Sequence, residues 1–212
     1  MTSTPTEVPS PGRRIGTTVA TACLVLVLLG VAVMLIWPRT VQTAINNTVS
    51  PIGGPFTLTT QTGAKLSDAD LRGKPFAVFF GFTRCPEVCP TTLWETTEAL
   101  KSLGPDADKL RVLFISVDPT RDTPEFMARY LQSFDSRITG LTGTEADVAA
   151  VGKEYRIYYK KVPTEDGDYT MDHTATIFLM GAEGQFKGTI SYGEDMAIRL
   201  RKLRNLIAGA AA

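Results

Sequence analysis

The stretch PFAVFFGFTRCPEVCPTTL, Pro75–Leu93, decides how the rest of the chain is read. Its first part, PFAVFFGF (Pro75–Phe82), is apolar without alternation, the pattern of a strand buried on both faces. Two cysteines follow at once, Cys85 and Cys89, with three residues between them and a proline after each. TTLWETTEALKSLG then carries apolar residues at Leu93, Trp94, Leu100 and Leu103 and ends in Gly104-Pro105, a helix stop.

The same alternation continues outward. LRVLFISV (Leu110–Val117) predicts a second buried strand. In DPTRDTPEFMARYLQSF, Thr123 is placed to cap a helix whose first residue is Pro124, with Phe126, Tyr130, Leu131 and Phe134 as its apolar stripe. ITGLTG predicts a short strand, TEADVAAVGKEY a helix capped by Thr144, and RIYYKKV an extended piece. TATIFLMGAEGQFKGTISYG reads as a hairpin turning at Gly181–Gly184, and MAIRLRKLRNLIAG as a closing amphipathic helix with a basic face. That face, with Arg199, Arg201, Lys202 and Arg204, reads as solvated. On the N-terminal side, FTLTTQTG (Phe56–Gly63) predicts an edge strand or hairpin, and Ser67 and Asp68 supply cap chemistry for one helical turn. Strands alternating with helices, closed by a hairpin, predict an α/β domain with a mixed sheet flanked by helices. Working sites in such sheets lie at the C-terminal ends of strands, where Cys85 and Cys89 fall.

The bulk numbers narrow the function. The chain has 212 residues, 22 Lys+Arg against 22 Asp+Glu, three cysteines and one histidine. A neutral balance argues against a nucleic-acid partner. Three cysteines are too few for a disulfide scaffold. Ile15–Trp37 is a run of 23 residues without a charge, about 34 Å long as a helix and sufficient to cross a bilayer. It is too long for a cleaved signal peptide. Arg13 and Arg14 before it place the tail, residues 1–14, in the cytoplasm and the C-terminal domain outside. The expected organisation is thus a tail, a transmembrane signal anchor over 15–37, a tether over 38–55 and a domain over 56–212, set in a bacterial inner membrane with the domain on the periplasmic side. Cys23 lies within the span and reads as a small apolar filler.

Cys85 and Cys89 sit where a strand passes into a helix, and free N–H groups at a helix start favour thiolate over thiol. If CPEVC is already helical, a spacing of four puts both sulfurs on one face. Three readings stand side by side. A structural disulfide would close a very small loop and stabilise little. Thiol-disulfide exchange needs only the pair. Metal binding needs a further ligand, and the sole histidine, His173, lies in a loop directly before an apolar strand in DYTMDHTATIFLM. Two thiolates and an imidazole form a soft set that suits copper, and Cu(I) accepts three ligands where zinc asks for four. Met171 reads as packing, and Asp172 as a solvated carboxylate or an acceptor that orients the imidazole.

With these residues placed, the chain resembles the Sco/SenC family of copper-delivery proteins, thioredoxin-like domains on a membrane anchor. GFTRCPEVCPTTL, FISVDPTRDTP and DYTMDHTATIFLM carry the resemblance, in the family's order. The segment MGAEGQF departs from the proline-containing turn often seen there. The resemblance implies copper ligands at Cys85, Cys89 and His173, and an acidic position at Asp118 whose role stays open. It implies a metallochaperone carrying Cu(I), with Cu(II) also open, that serves the copper-bearing subunit of cytochrome c oxidase and receives metal from another periplasmic donor. The alternative it implies is an oxidoreductase that reduces a client's cysteine pair through Cys85 and Cys89.

Overall fold

The computed structural model describes residues 24–34 and 52–209. The chain divides into two compact units, Met1–Ser50 and Pro51–Ala212. In the first, residues 24–34 are helical (α1) with exposed apolar side chains from Leu24 to Met34. The tail, most of the tether and most of the anchor expected over 15–37 lie outside the described residues. Among the described residues no helix is long and apolar enough to cross a membrane.

The second unit runs β1 (Thr57–Thr60), β2 (Lys65–Ser67), β3 (Phe76–Gly81), α2 (Val88–Leu103), β4 (Arg111–Ser116), α3 (Pro124–Leu131), β5 (Ile138–Thr142), α4 (Glu145–Glu154), β6 (Tyr159–Pro163), β7 (Tyr169–His173), β8 (Thr176–Met180), β9 (Phe186–Ser191) and α5 (Met196–Ile207). Seven strands form one sheet in the order β2-β1-β5-β4-β3-β8-β9, and β6 with β7 forms a separate two-stranded sheet. β3 runs parallel to β4 and antiparallel to β8, and β4 parallel to β5, so the sheet is mixed as the motif order predicts. β3 is buried at every position, which is what its unbroken apolar run requires of a central strand. Phe79 and Phe80 there, and Phe114 of β4 beside them, contribute about 2 kcal/mol each through the area they remove from water.

The caps follow from sequence. Thr123 accepts from the Phe126 N–H at 3.3 Å, with Pro124 as the first residue of α3. Thr144 and Asp147 close a reciprocal capping box on α4. The Ser67 N–H and O–H both donate to Asp70, at 2.8 and 2.6 Å, and open a single turn over Asp68–Leu71. The chain is packed ahead of Phe56: Gly53 is buried and donates its N–H to the Glu154 carbonyl at 2.9 Å.

Three expectations are corrected. Trp94 is 59% exposed and not part of the buried stripe of α2. That stripe is Cys89, Thr92, Leu93, Thr96, Thr97, Ala99, Leu100 and Leu103, with three threonines in it. Thr92 and Thr96 donate their hydroxyls to the carbonyls of Val88 and Thr92, both at 2.7 Å, so a polar-looking sequence hides an apolar face. The closing helix is only half solvated on its basic side. Arg199 is buried and pairs with Glu95, and Lys202 donates to Glu194 and to the Thr189 carbonyl, both at 2.7 Å, while Arg201 and Arg204 face water. Lastly, YTMDH (Tyr169–His173) is not a loop but strand β7, and His173 is its final residue.

Candidate metal centre

Cys85 and Cys89 hang from the C-terminal end of β3. α2 begins at Val88, so Cys85 lies in the turn before the helix and Cys89 in its first turn. Glu87 at the helix start offers no side-chain cap. The Cys85 sulfur takes that part, accepting the Cys89 N–H at 3.3 Å. Both cysteines are free thiols; Cys89 is fully buried and Cys85 half-buried.

The Cys89 thiol, then His173 and the N–H groups of Cys89 and Glu87, bond to the Cys85 sulfur and outweigh its burial. They hold its pKa down at about 4. Donation to Cys85, burial and the neighbouring negative charge push Cys89 the other way. The pair therefore carries one negative charge, on the more exposed sulfur. Deprotonating Cys89 as well calls for a cation to replace the proton.

His173 comes from the other sheet. β6 and β7 pair in register, Tyr159 opposite His173, and the hairpin delivers the imidazole to the cysteines. Nε2 stands 3.4 Å from the Cys89 sulfur. Nδ1 stands 3.1 Å from the Thr174 carbonyl oxygen, which can only accept, so Nδ1 is the donor there and Nε2 is the nitrogen that faces the sulfurs. Asp172 does not orient the ring: it is exposed, and the backbone carbonyl of Thr174 makes that contact. Met171 is buried, as its packing role requires. The two sulfurs and an imidazole nitrogen lie within 4.8 Å of one another. A trigonal ion with bonds near 2.3 Å wants its ligands about 4 Å apart, so little movement is needed to close on one ion. Rings of Phe82 and Phe79 meet His173 edge-on at 5.7 and 6.3 Å and keep that side of the site dry.

The residues that hold the two halves together come from DPTRD. The buried Asp122 carboxylate accepts the Thr83 N–H at 3.1 Å, the Thr83 hydroxyl at 2.6 Å and the Ser116 hydroxyl at 2.6 Å, pinning the cysteine turn to the end of β4. Burial pushes the pKa of this carboxyl up and those three bonds oppose it. Asp118, also buried, reaches the other way. It accepts the Tyr169 hydroxyl at 2.8 Å and pairs with Arg121, whose guanidinium lies 3.6 Å over the Tyr169 ring and donates to the Tyr169 carbonyl at 2.8 Å. Asp118 thus ties β4 to the strand that carries His173. Asp122, Thr83, Tyr169 and Arg121 were not singled out from the sequence. The available signal was two aspartates four apart directly after a buried strand, where one was noticed.

A mixed sheet flanked by helices, with a cysteine pair at the end of a central strand and a histidine presented to it from a neighbouring hairpin, defines a thioredoxin-like domain built for soft-metal or thiol chemistry. The family model described as SCO1/SenC matches residues 45–208, and the chain belongs to that family. ScoI of Bradyrhizobium japonicum, solved with copper bound, is 51% identical with a TM-score of 0.69, over 73% of this chain and 99% of that one. Yeast Sco1 with copper bound is 34% identical with a TM-score of 0.69, over 74% of this chain and 89% of that one. The human mitochondrial SCO1 homolog is 43% identical over 141 residues, 64% of this chain and 46% of its own length. The chain spans about half the length of such eukaryotic relatives.

Proposed function

We propose that this protein is a copper metallochaperone that holds the ion through Cys85, Cys89 and His173 and passes it to the copper-bearing subunit of cytochrome c oxidase. The convergence of the three ligand atoms within 4.8 Å carries the reading. Support comes from two family members whose structures hold copper and from the soft character of the donor set. The half-exposed Cys85 gives a partner's ligand a place to attack, while Cys89 and His173 retain the ion from below. The client follows from the motif resemblance. The same reading tethers the domain to a bacterial inner membrane by residues 15–37, with copper arriving from a periplasmic donor.

The test is copper content and Cu(I) affinity of the purified full-length chain with reduced thiols, beside His173→Ala. About one copper per chain, held at least tenfold less tightly by the variant, is the expected result. Copper retained equally by both removes His173 from the site, and no copper in either removes the reading.

One observation favours a second activity at the same pair. A thiolate with its pKa at about 4 and some exposure, backed by a buried thiol, is the arrangement of an attacking and a resolving cysteine. Cys85 would attack a client disulfide to form a mixed disulfide. Cys89 would then displace the client thiolate, leaving the client reduced and Cys85–Cys89 oxidised. Such exchange needs Cys85 but not His173.

A further inference from the structure

A cavity of about 370 Å³ opens between the hairpin that presents His173, the start of α4 and the loop after β4. Its size is within the range that takes a bound group. The back wall is apolar and comes from three elements: Val117 after β4, Val148 of α4 and Met171 of β7, all buried. Both halves of the metal centre reach that wall. The Val117 N–H donates to the Gly81 carbonyl at 2.8 Å, at the end of the strand that carries the cysteines. Met171 stands two residues before His173 in one strand, so the two side chains share a face. Tyr159, paired in register with His173, lines the same space.

The lip of the cavity is polar and balanced in charge. Lys161 Nζ donates to Glu145 at 3.2 Å, with side chains 50% and 71% exposed, and the Thr120 hydroxyl donates to the same carboxylate at 3.1 Å. An ammonium has three protons and a carboxylate accepts about four bonds, so both groups keep capacity for a further partner. A charged ligand would meet one of the two with the wrong sign. A peptide group suits both, its carbonyl accepting from Lys161 and its N–H donating to Glu145. An apolar side chain flanked by its own peptide bonds therefore matches wall and lip together, whereas a free hydrocarbon matches only the wall.

We propose that this cavity is a docking pocket for one apolar side chain, of the size of methionine or phenylalanine, on an exposed loop of a partner protein. The side chain packs against Val148 and Met171, and its peptide bonds meet Lys161 and Glu145. The hairpin forms one side of the cavity, so an occupant favours the arrangement in which His173 faces the sulfurs. The partner gains its foothold beside the metal centre while the three ligands are still together. That this partner is one that exchanges copper rests on the copper reading; the pocket itself does not.

The test uses the full-length chain, its methionines labelled with carbon-13 at the methyl group, without added metal. It is titrated with N-acetyl-phenylalaninamide, and beside it with N-acetyl-glycinamide and with toluene at matched free concentration. The Met171 methyl signal is expected to shift and saturate with the phenylalanine compound and to stay in place with the glycine compound. Met127 and Met180, buried but not part of the cavity wall, are expected to keep their signals unchanged. Lys161→Ala, at an exposed position, is expected to bind the phenylalanine compound about fivefold less tightly, the loss of one hydrogen bond. No saturable shift at Met171 overturns the pocket, and equal shifts at Met127 and Met180 overturn it as mere partition into the core. Binding indifferent to Lys161→Ala, or matched by toluene, makes the cavity a site for small apolar molecules and overturns the protein partner. A chain that binds as expected but takes no copper keeps the docking pocket and removes only the copper reading.

Discussion

The two halves of the candidate site are held by different physics. The cysteines hang from β3, which is buried at every position and paired on both sides within the seven-stranded sheet. His173 ends a two-stranded hairpin whose residues 160–168 are all exposed and which belongs to no larger sheet. Apolar packing fixes the sulfurs. Polar ties fix the imidazole: the Tyr169 hydroxyl on Asp118, Arg121 on the Tyr169 carbonyl, the Thr174 N–H on the Tyr158 carbonyl and the Tyr158 N–H on the Thr174 hydroxyl, the last two at 3.0 Å. A site assembled this way can loosen its histidine without disturbing its thiols, which suits the copper delivery proposed above.

The largest break in this comparison lies on the packed side. Gly81 has ordinary strand backbone, and glycine is required by crowding alone, with Phe114 and the Cys89 sulfur both inside 3 Å of an added Cβ. Gly81→Ala drives a methyl between two fully buried groups. The expected loss is about 2–3 kcal/mol of global stability by denaturant unfolding, with the displaced Cys89 lowering copper affinity as well. A variant as stable as the parent would show that the packed half yields more readily than its burial suggests.

A smaller and more selective break lies on the polar side. Tyr169→Phe keeps the ring beneath Arg121 but removes the O–H from Asp118, whose carboxylate is fully buried. The expected loss is about 1–2 kcal/mol, because a buried charged acceptor loses one of its donors. Hydrogen exchange distinguishes local from global loosening: amides of β7 gain exchange while those of β3 keep their protection. Equal loss in both strands would contradict a separately held hairpin.

The same contrast explains what was legible in the sequence. β3, β4 and β8 were readable because burial on both faces leaves an unbroken apolar run, and the caps at Thr123 and Thr144 because cap chemistry is local. Cys85, Cys89 and His173 could be named because few residue types do such chemistry and the chain has one histidine. β7 was missed because YTMDH alternates only weakly and its partner β6 is polar, YKKVP, so nothing in the segment announces a strand. The α2 stripe was misassigned at Trp94 because threonines that bond back to their own helix count as polar in a sequence and as apolar in a fold. Arg199 was read as solvated because its partner, Glu95, stands 104 positions away. The links made by Asp118 and Asp122 were invisible for the same reason: they join the cysteine turn, β4 and β7, and no local pattern records a contact made across the fold.

The smallest effect tests whether charge at the rim adds to these ties. Arg84, next to Cys85, meets Asp168 of the hairpin at 3.6 Å, with side chains 50% and 52% exposed. The contact spans the two halves, so it looks like a latch over the site. Solvent and salt screen such a pair, and exposed ion pairs contribute no more than about 1 kcal/mol. Asp168 also keeps a bond from Arg121 at 3.2 Å when Arg84 is gone. Arg84→Ala is therefore expected to leave unfolding and β7 exchange close to the parent, and to change copper affinity by less than about fivefold. A loss comparable to that of Tyr169→Phe, shrinking as salt is added, would mean that the hairpin is held shut from the rim by charge, and that Asp118 and Tyr169 share the work of presenting His173 with a latch at the surface.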